Sequence, residues 1–274
     1  MAHKIDPTAI IDDSVILSDN VQIGPYTIIG KEVRIGPDTV IGSHCVIDDY
    51  TEIAENCHIH HHVVLGTPPQ DLKYKGERTC LRVGARTVIR EFADINRGTT
   101  ATCETVIGSD VLIMGLVHIA HDCRIGDRAI IAGGVQMAGH VDVAHDVILG
   151  GMVPVHQFVH IGAYSIIGGG WRVSKDVPPF LTAAGEPLAY KGLNLIGLKR
   201  KGFSSDRINS IRKTYRILYQ SHLNVSQALR EIKANQPLDD PDIQSIVSFI
   251  EHATRGIIGA TRHQTPSSKG VSHE

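Results

Sequence analysis

The sequence predicts a mainly β protein, a long parallel β-helix followed by a small α-helical domain. Three observations predict this fold class. An aliphatic residue occupies 25 of the 28 positions spaced six apart from Ile11 to Val173, a helical spacing of apolar residues replaces that repeat after residue 178, and aromatic residues make up only 5% of the 274 residues. An interior poor in rings and rich in β-branched side chains favours strands packed on a thin, repetitive core.

The six-residue repeat is the strongest of these signals, because only Asp71, Glu77 and Ala101 interrupt it. An α-helix would require a period near 3.6 and an ordinary strand a period of 2. A period of six indicates short strands joined by corners. No single repeat can bury its aliphatic side chain alone, so the repeats must stack into coils.

The interruptions and the end of the repeat divide the chain. We expect the β-helix over residues 1–178, with projecting loops near 66–82 and 98–105, where the repeat is interrupted. Loops on a rigid scaffold often carry function. A helical C-terminal domain should occupy residues 179–259 and a polar, disordered tail residues 260–274.

Apolar spacing within the C-terminal domain predicts three helices, over residues 205–221, 225–235 and 240–255. The third helix should begin with Asp240 as its N-cap and Pro241 at its first position. A capping carboxylate and a proline with a fixed φ are both favoured there.

Composition excludes several classes of protein. The 27 basic and 29 acidic residues nearly cancel, which argues against binding nucleic acid or an anionic membrane by charge alone. No stretch approaches the roughly 20 apolar residues of a membrane span. Five cysteines without a C-x-x-C pair are typical of thiols in a reducing compartment, so we expect a cytoplasmic protein.

The repeat resembles that of the hexapeptide-repeat acyltransferases. This resemblance implies a left-handed parallel β-helix, a triangular prism with three hexapeptides in each 18-residue coil. The handedness comes from the resemblance alone, because parallel crossovers are normally right-handed.

An 18-residue coil would bring several histidines together on one edge of the prism. Residues 18 apart would stack about 4.8 Å from each other, which groups His121 with Gly139 and Gln157, and Asp122 with His140. His118 and His156 would lie beside them. His121 could then act as a general base, and the backbone N–H of Gly139 could approach a developing oxyanion. The alternative is that these histidines only decorate a solvated edge.

Six segments resemble one narrower family, the UDP-N-acetylglucosamine acyltransferases of lipid A biosynthesis. They occur in the order of that family and cover nearly the whole chain apart from the tail. The segments are QDLKY at 70–74, HIAHDC at 118–123, AGHV at 138–141, VHQF at 155–158, DVPP at 176–179 and GLKRKGF at 197–203.

The resemblance implies transfer of an (R)-3-hydroxyacyl group from acyl carrier protein to the 3-position of UDP-N-acetylglucosamine, without a cofactor or metal. His121 would be the general base, Asp122 would orient it and Gly139 would stabilise the oxyanion. Adjacent residues of a strand point to opposite faces, so the role of Asp122 rests on the resemblance. The substrate-binding residues would be Gln70, Asp71, Lys73, His118, His140, His156, Gln157, Asn194 and Arg200.

The resemblance also implies a homotrimer with active sites between subunits. A basic stretch that includes Lys199, Arg207 and Arg216 could dock acyl carrier protein, or could be a solvated helix face.

Three departures from the family pattern concern binding. Lys201 stands where a second arginine is expected, which keeps the charge but loses the forked guanidinium. Ile196 stands where an acidic residue can occur. Trp171 and Arg172 occupy the expected end of the acyl-chain groove, so either could select a shorter acyl chain, although Trp171 could instead cap the last coil.

Three other functions remain open at this point. One is a zinc enzyme similar to the γ-class carbonic anhydrases, with His140 and His145 as ligands, although the third position of that set is Glu104 rather than a histidine. Another is a related enzyme that N-acylates UDP-glucosamine intermediates. The last is a non-catalytic β-helix that serves as a binding surface or spacer.

Overall fold

The computed structural model describes residues 4–260, which form a left-handed parallel β-helix with a smaller C-terminal part. The expected tail therefore lies outside the described residues from residue 261 onward. Paired residues in successive coils are 18 apart in the regular part of the prism, as in Ile119 and Met137. The predicted fold class is confirmed.

Twenty-five short strands build the described coils, and every third strand belongs to the same sheet. In chain order they are β1 (Lys4–Ile5), β2 (Ile10–Ile11), β3 (Ile16–Leu17), β4 (Gln22–Ile23), β5 (Ile28–Ile29), β6 (Arg34–Ile35), β7 (Val40–Ile41), β8 (Val46–Ile47), β9 (Thr51–Ile53), β10 (His58–Ile59), β11 (Val64–Thr67), β12 (Cys80–Val83), β13 (Val88–Ile89), β14 (Asp94–Asn96), β15 (Glu104–Ile107), β16 (Leu112–Ile113), β17 (His118–Ile119), β18 (Arg124–Ile125), β19 (Ile130–Ile131), β20 (Gln136–Met137), β21 (Asp142–Val143), β22 (Ile148–Leu149), β23 (Pro154–Val155), β24 (His160–Ile161) and β25 (Ile166–Ile167).

The three faces of the prism are sheet A, which contains β1 and β25, sheet B, which contains β2 and β23, and sheet C, which contains β3 and β24. The second residue of most strands points inward and is buried, as in Ile113, Ile119 and Ile125. The repeat of six therefore reports the interior of the prism. Each buried aliphatic side chain stacks on its counterparts in neighbouring coils, which removes it from water.

Corners join the faces, and we name each after the sheets it connects: corner AB, corner BC and corner CA. At most turns along these corners one residue has a positive φ, and this residue is usually not glycine, as in Asp122 (φ 60°), His140 (φ 59°) and Asp146 (φ 58°). Asp and His adopt this left-handed conformation more readily than β-branched residues do. Side chains at the corners consequently leave the alternation expected of a strand.

Both interruptions of the repeat lie at corner BC. Residues 68–79 connect β11 of sheet B to β12 of sheet C, and residues 97–103 connect β14 to β15 one coil later. The first connection is shorter than the expected loop 66–82 at both ends. The second begins one residue before the expected loop 98–105 and ends two residues before it does. The strands that flank the connections extend further than the aliphatic repeat indicates. In β12, for example, Leu81 already pairs with Thr51 of the neighbouring coil.

The C-terminal part contains strands as well as the predicted helices. Strands β26 (Leu181–Ala184) and β27 (Ala189–Leu193) form an antiparallel hairpin that extends sheet A, and β28 (Gly259–Ala260) pairs with β27. The sequence analysis missed this hairpin because it lies outside the six-residue repeat.

Four helices complete the described C-terminal part, up to residue 260: α1 (Leu195–Arg200), α2 (Ser205–Gln220), α3 (Val225–Asn235) and α4 (Pro241–His252). The last three correspond to the predicted helices, and Asp240 caps α4 as expected. Helix α4 ends three residues earlier than predicted, and the short helix α1 was not predicted.

Helix α2 joins the C-terminal part to the end of the prism. Tyr215 is fully buried and its hydroxyl donates a hydrogen bond of 2.6 Å to the carbonyl oxygen of Pro179. Ile208, Ile211 and Leu218 are buried on the same helix, which explains their helical spacing in the sequence. None of the described helices is long and apolar enough to cross a membrane.

Candidate active site

His121 lies at corner BC, one coil after the 97–103 connection and two coils after the 68–79 connection. The structure also places Gly139, His140, His156 and Gln157 at this corner. Backbone hydrogen bonds from His140 N to His121 O (3.0 Å) and from Phe158 N to Gly139 O (3.3 Å) hold the successive coils in register. The stacking inferred from an 18-residue coil is therefore present.

His121 and Asp122 form a close pair. His121 Nδ1 lies 2.7 Å from Asp122 Oδ2. The His121 side chain is 9% exposed and that of Asp122 is fully buried. Both residues belong to the corner rather than to a strand, and the positive φ of Asp122 lets adjacent side chains meet. The opposite orientation expected for strand neighbours does not apply here.

Asp122 is held by the 97–103 connection as well as by His121. Its carboxylate accepts hydrogen bonds from Thr99 N (2.9 Å), from Thr99 Oγ1 (2.7 Å) and from the Thr102 hydroxyl. Its own N–H donates to Thr105 Oγ1 at 2.9 Å. Burial alone would raise the pKa of Asp122, but the hydrogen bonds from His121, Thr102 and Thr99 outweigh it and hold that pKa well below its ordinary value.

The three threonines were missed by the sequence analysis, which treated the second loop only as a projection. The available signal was weak: the connection interrupts the repeat one coil before His121, and hydroxyl-bearing residues follow Gly98 in the run Thr99, Thr100, Thr102 and Thr105. Nothing in the sequence indicates that this connection folds inward onto Asp122.

Gly139 lies directly beneath the His121 ring. A Cβ atom at this position would be 2.6 Å from His121 Cε1 and 2.8 Å from His121 Nε2, so any side chain would displace the imidazole. Within residues 4–260, the Gly139 N–H donates to no other group. It can therefore donate a hydrogen bond to a substrate atom beside His121.

His140 completes a compact group with the pair. Its Nε2 atom lies 3.5 Å from Asp122 Oδ2, its ring meets that of His121 edge to face, and it stacks on Phe158. His121, Asp122 and His140 are the one group in the described part of the chain with the ligand spacing of a metal site. The Asp122 oxygens are already engaged by hydrogen-bond donors on the protein.

His118 and Gln157 flank this group. His118 lies on β17, half-buried, and its Nδ1 is 3.0 Å from Asp94 Oδ2. His156 is exposed and its Nδ1 lies 3.0 Å from the carbonyl oxygen of Gln157. The predicted edge of histidines is therefore assembled from three consecutive coils.

The 68–79 connection carries the predicted Gln70, Asp71 and Lys73, at the same corner. Asp71 Oδ1 accepts a hydrogen bond from Lys73 N at 2.9 Å, which stabilises a turn, and the side chains of Gln70 and Lys73 are exposed. Tyr74 at the base of this connection accepts hydrogen bonds from Arg97 Nη2 (3.1 Å) and Nε (3.2 Å).

Through these bonds to Tyr74, Arg97 links the two connections. Its Nη1 also donates to the carbonyl oxygen of Gly66 on β11 at 2.9 Å. The Arg97 residue is only 7% exposed. The sequence signals Arg97 only by its position beside a break in the repeat, and the arginine was not predicted as a site residue.

Asn194 and Arg200 are not brought to this corner. Asn194 caps α1 and donates from Nδ2 to the carbonyl oxygen of Tyr164 at corner CA, at 2.9 Å. Arg200 is the last residue of α1 and is exposed. Within one chain, these two predicted substrate-binding residues and His121 occupy different edges of the prism.

Comparison with known proteins shows the family of this chain. The chain matches the family model of bacterial transferase hexapeptides (six repeats) over residues 14–49 and 104–139, and the model described as UDP-N-acetylglucosamine O-acyltransferase, domain 2, over residues 176–258. It is 50% identical over 259 residues to the acyl-[acyl-carrier-protein]–UDP-N-acetylglucosamine O-acyltransferase of Paraburkholderia phymatum, with 93% of this chain and 99% of that protein covered. The chain belongs to this acyltransferase family.

Solved structures of UDP-N-acetylglucosamine acyltransferases have the same fold. The LpxA structure from Acinetobacter baumannii superposes with a TM-score of 0.90 at 42% identity and covers 93% of this chain and 99% of its own. The enzyme from Francisella novicida gives a TM-score of 0.91 at 34% identity, with 98% and 100% covered. The expected family is thus confirmed, and the expectation that the protein is an acyltransferase is confirmed with it.

The ligand set of the alternative zinc enzyme, similar to the γ-class carbonic anhydrases, is not assembled within one chain. His140 lies at corner BC, whereas His145 lies at corner CA with its Nδ1 2.8 Å from Asp146 Oδ2. Strand β21 separates the two histidines, so within one chain they do not bind the same metal ion. Glu104 pairs with Arg82 at 3.0 Å and Arg124 at 3.0 Å instead.

The remaining departures from the acyltransferase pattern have definite positions. Ile196 is 68% exposed on α1, and Lys201 follows that helix. Trp171 is 37% exposed, so it does not fill the interior of the last coil. Arg172 is exposed and precedes Val173, which pairs with Val155 of sheet B.

Cys123 is inward-facing and fully buried. Burial raises the pKa of its thiol to about 12, which keeps it protonated near neutral pH and argues against a nucleophilic role.

Proposed function

We propose that this acyltransferase moves an (R)-3-hydroxyacyl group from acyl carrier protein to the 3-hydroxyl of UDP-N-acetylglucosamine, as the first step of lipid A biosynthesis. The names of its relatives support the donor protein and the acceptor. The observation that carries the chemistry is that His121 Nδ1 is engaged by Asp122 while the opposite ring edge faces the open backbone of Gly139.

His121 is the general base of the proposed reaction. With Nδ1–H donated to Asp122, His121 Nε2 is the acceptor nitrogen and takes the proton of the sugar hydroxyl. The resulting oxygen nucleophile attacks the thioester carbonyl carbon and forms a new C–O bond. The Gly139 N–H donates to the oxyanion of this tetrahedral intermediate.

Collapse of the intermediate restores the carbonyl and breaks the C–S bond. The proton held on His121 Nε2 passes to the departing sulfur, so the products are the sugar ester and the free thiol of the carrier. Asp122 stabilises the imidazolium between these steps, because a fixed carboxylate beside Nδ1 favours the protonated ring.

The acceptor binds across corner BC. Asp71 and Lys73 on the 68–79 connection lie on the side of the earlier coils, and His156 and Gln157 on the side of the later coils. His118 and His140 flank the base on its own coil and the next. Together these side chains offer charged and neutral hydrogen-bond partners to the sugar and the phosphates. Gln70, exposed on the same connection as Asp71, adds an amide to this set.

Asn194 and Arg200 contact the nucleotide from a neighbouring subunit. Within one chain they lie at corner CA, away from His121, so a site that uses all of these residues needs a second copy. A homotrimer, as the resemblance implies, supplies it. Sheet A carries a row of partly exposed aliphatic side chains consistent with an interface, namely Val88, Leu112, Ile130, Ile148 and Ile166.

Acyl carrier protein docks on the exposed basic residues of α2. Arg207 is not part of this surface, since its guanidinium is bound by Asp242 at 2.5 and 2.8 Å. Arg212, Lys213 and Arg216 line a groove with a volume of about 600 Å³ on the other side of the helix. These cations suit an acidic partner.

The acyl chain follows sheet B away from His118. Arg172 continues the outward row formed by His118, Gln136 and Pro154, which places it three coils, or about 14 Å, beyond His118. Arg172 and the neighbouring Trp171 therefore limit the length of the acyl chain.

A transfer assay with labelled UDP-N-acetylglucosamine and a panel of acyl carrier proteins tests this function. Wild-type protein should acylate the sugar, with preference for one 3-hydroxyacyl donor, and His121→Ala should lower kcat by about 10³-fold or more. The same panel is offered to the 3-amino analogue of the sugar. Transfer to the amino sugar alone, or activity retained by His121→Ala, contradicts the proposal.

A further inference from the structure

Asp146 contacts three nitrogen-bearing side chains at corner CA. Arg128 Nη2 lies 2.8 Å from its Oδ2, His145 Nδ1 lies 2.8 Å from the same oxygen, and Lys201 Nζ lies 2.5 Å from Oδ1. The Asp146 side chain is only 2% exposed. Although burial alone would raise the pKa of Asp146, its hydrogen bonds with Arg128, Lys201 and His145 hold it well below the ordinary value.

Lys201 comes from outside the prism. It is the C-cap of α1 and the residue directly after Arg200. The other end of α1 is fixed by Asn194, whose side chain binds Tyr164 one coil further along the same corner. Leu198, between these ends, is fully buried. The short helix is therefore held at both ends on successive coils of corner CA.

Arg200 and Lys201 differ in what engages them. Within residues 4–260, Arg200 forms no ion pair, whereas Lys201 is bound to a buried carboxylate. A lysine is a single point charge without the fork that grips two oxygens of a phosphate. The ammonium of Lys201 is thus bound to the prism, whereas the guanidinium of Arg200 can bind a ligand.

We propose that Asp146 is a positioning residue for nucleotide binding: it anchors Lys201, and through Lys201 it fixes the end of α1 that presents Arg200 to the sugar nucleotide. Lys201 is then an anchor and not a second phosphate ligand. This inference rests on the proposed function, in which Arg200 contacts the nucleotide.

Steady-state kinetics and calorimetric binding of UDP-N-acetylglucosamine to the full-length protein test the inference. Asp146→Asn and Lys201→Met should each raise the KM and Kd for UDP-N-acetylglucosamine about tenfold and change kcat by less than about twofold, because they disturb binding and leave His121 intact. The double variant should be no worse than either single variant, since both remove one interaction. Lys201→Arg should retain the wild-type KM.

Asp110→Asn is the matched control. Asp110 lies at the same corner two coils before Asp146 and is paired with Arg86 at 2.7 and 2.8 Å, but it does not touch α1. Its loss should leave the KM for the nucleotide unchanged. Because Lys201 is 45% exposed, Lys201→Met should fold even if Asp146→Asn does not.

Arg200→Ala separates this inference from the proposed function. If Arg200→Ala leaves the KM unchanged, Arg200 does not bind the nucleotide. The nucleotide contact assigned to Arg200 in the proposed function and the positioning role of Asp146 are then both wrong. If Arg200→Ala raises the KM but Lys201→Met and Asp146→Asn do not, only the positioning role is wrong. A raised KM for Lys201→Met with a wild-type KM for Asp146→Asn would show that Lys201 contacts the phosphates directly, which overturns the inference.

Discussion

His121 Nδ1 and Asp122 Oδ2 are 2.7 Å apart although the two residues are neighbours in the chain. A strand would direct their side chains to opposite faces. The pair forms because both residues occupy a corner of the prism, where Asp122 adopts a φ of 60°. The corner therefore provides a base and its orienting carboxylate within one dipeptide.

Replacing Asp122 by asparagine should lower kcat by about 10- to 1000-fold without loss of fold. The amide cannot stabilise an imidazolium and can donate a hydrogen bond to Nδ1, which would favour the wrong tautomer of His121. Stopped-time transfer assays across pH 5 to 9 measure the effect. A variant with wild-type kcat at every pH would contradict the orienting role.

Thr99→Val should lower kcat/KM by about tenfold. The change removes the hydroxyl that donates to Asp122 Oδ2 at 2.7 Å, and a hydrogen bond to a charged group contributes about 1.5 to 3 kcal/mol. Thr79→Val is the control, because Thr79 Oγ1 is also buried but has no hydrogen-bond partner within residues 4–260. Equal effects of the two variants on kcat/KM would argue against a role for Thr99.

Gly139→Ala should lower kcat by about 10²-fold or more, while the protein still folds. The new methyl group would be 2.6 Å from His121 Cε1, so the ring must swing away from Asp122 and the oxyanion position. Gly133→Ala on the preceding corner is the control, because its Cβ would be 3.3 Å from the nearest atom, Gly115 O. Undiminished transfer by Gly139→Ala would exclude a close approach of substrate at this position.

The stability of the protein should fall in acid. The pKa values of Asp122 and Asp146 are lowered in the folded state, so these carboxylates stabilise the fold above the unfolded pKa near 4, and that contribution is lost as pH falls further. Urea unfolding at pH 7 and pH 3 measures the difference. Asp122→Asn should reduce the dependence of unfolding free energy on pH, and an unchanged dependence would assign the acid sensitivity to other groups.

Arg172→Gly should shift the preference among acyl donors towards longer chains. Arg172 is exposed on the outward row of sheet B that begins beside the base, and glycine would open that row. The ratio of kcat/KM for two donors differing by two or four carbons cancels any general loss of activity. A ratio equal to that of the wild type would show that Arg172 does not limit the length of the acyl chain. Trp171→Ala would then test whether the indole does.

The site was predictable wherever it depends on the regular coil. His118, His121, Gly139, His140 and Gln157 share one edge because the period of the repeat fixes which residues stack, and that period is visible in the sequence. The positions of Thr99, Thr102 and Arg97 were not predictable, because they lie in connections that follow no period. Their side chains reach Asp122 and Tyr74 only through the particular path of each connection.

The sequence by itself determined the β-helix, its interior and the edge on which the histidines gather, since a repeat of six dictates both burial and stacking. The tertiary structure alone decided that Asp122 turns towards His121, that the two connections close over the same corner, and that Lys201 is bound to Asp146. These contacts join residues far apart in the chain or turn neighbours out of the strand conformation. Such relationships are set by backbone geometry at corners and insertions, which residue periodicity does not encode.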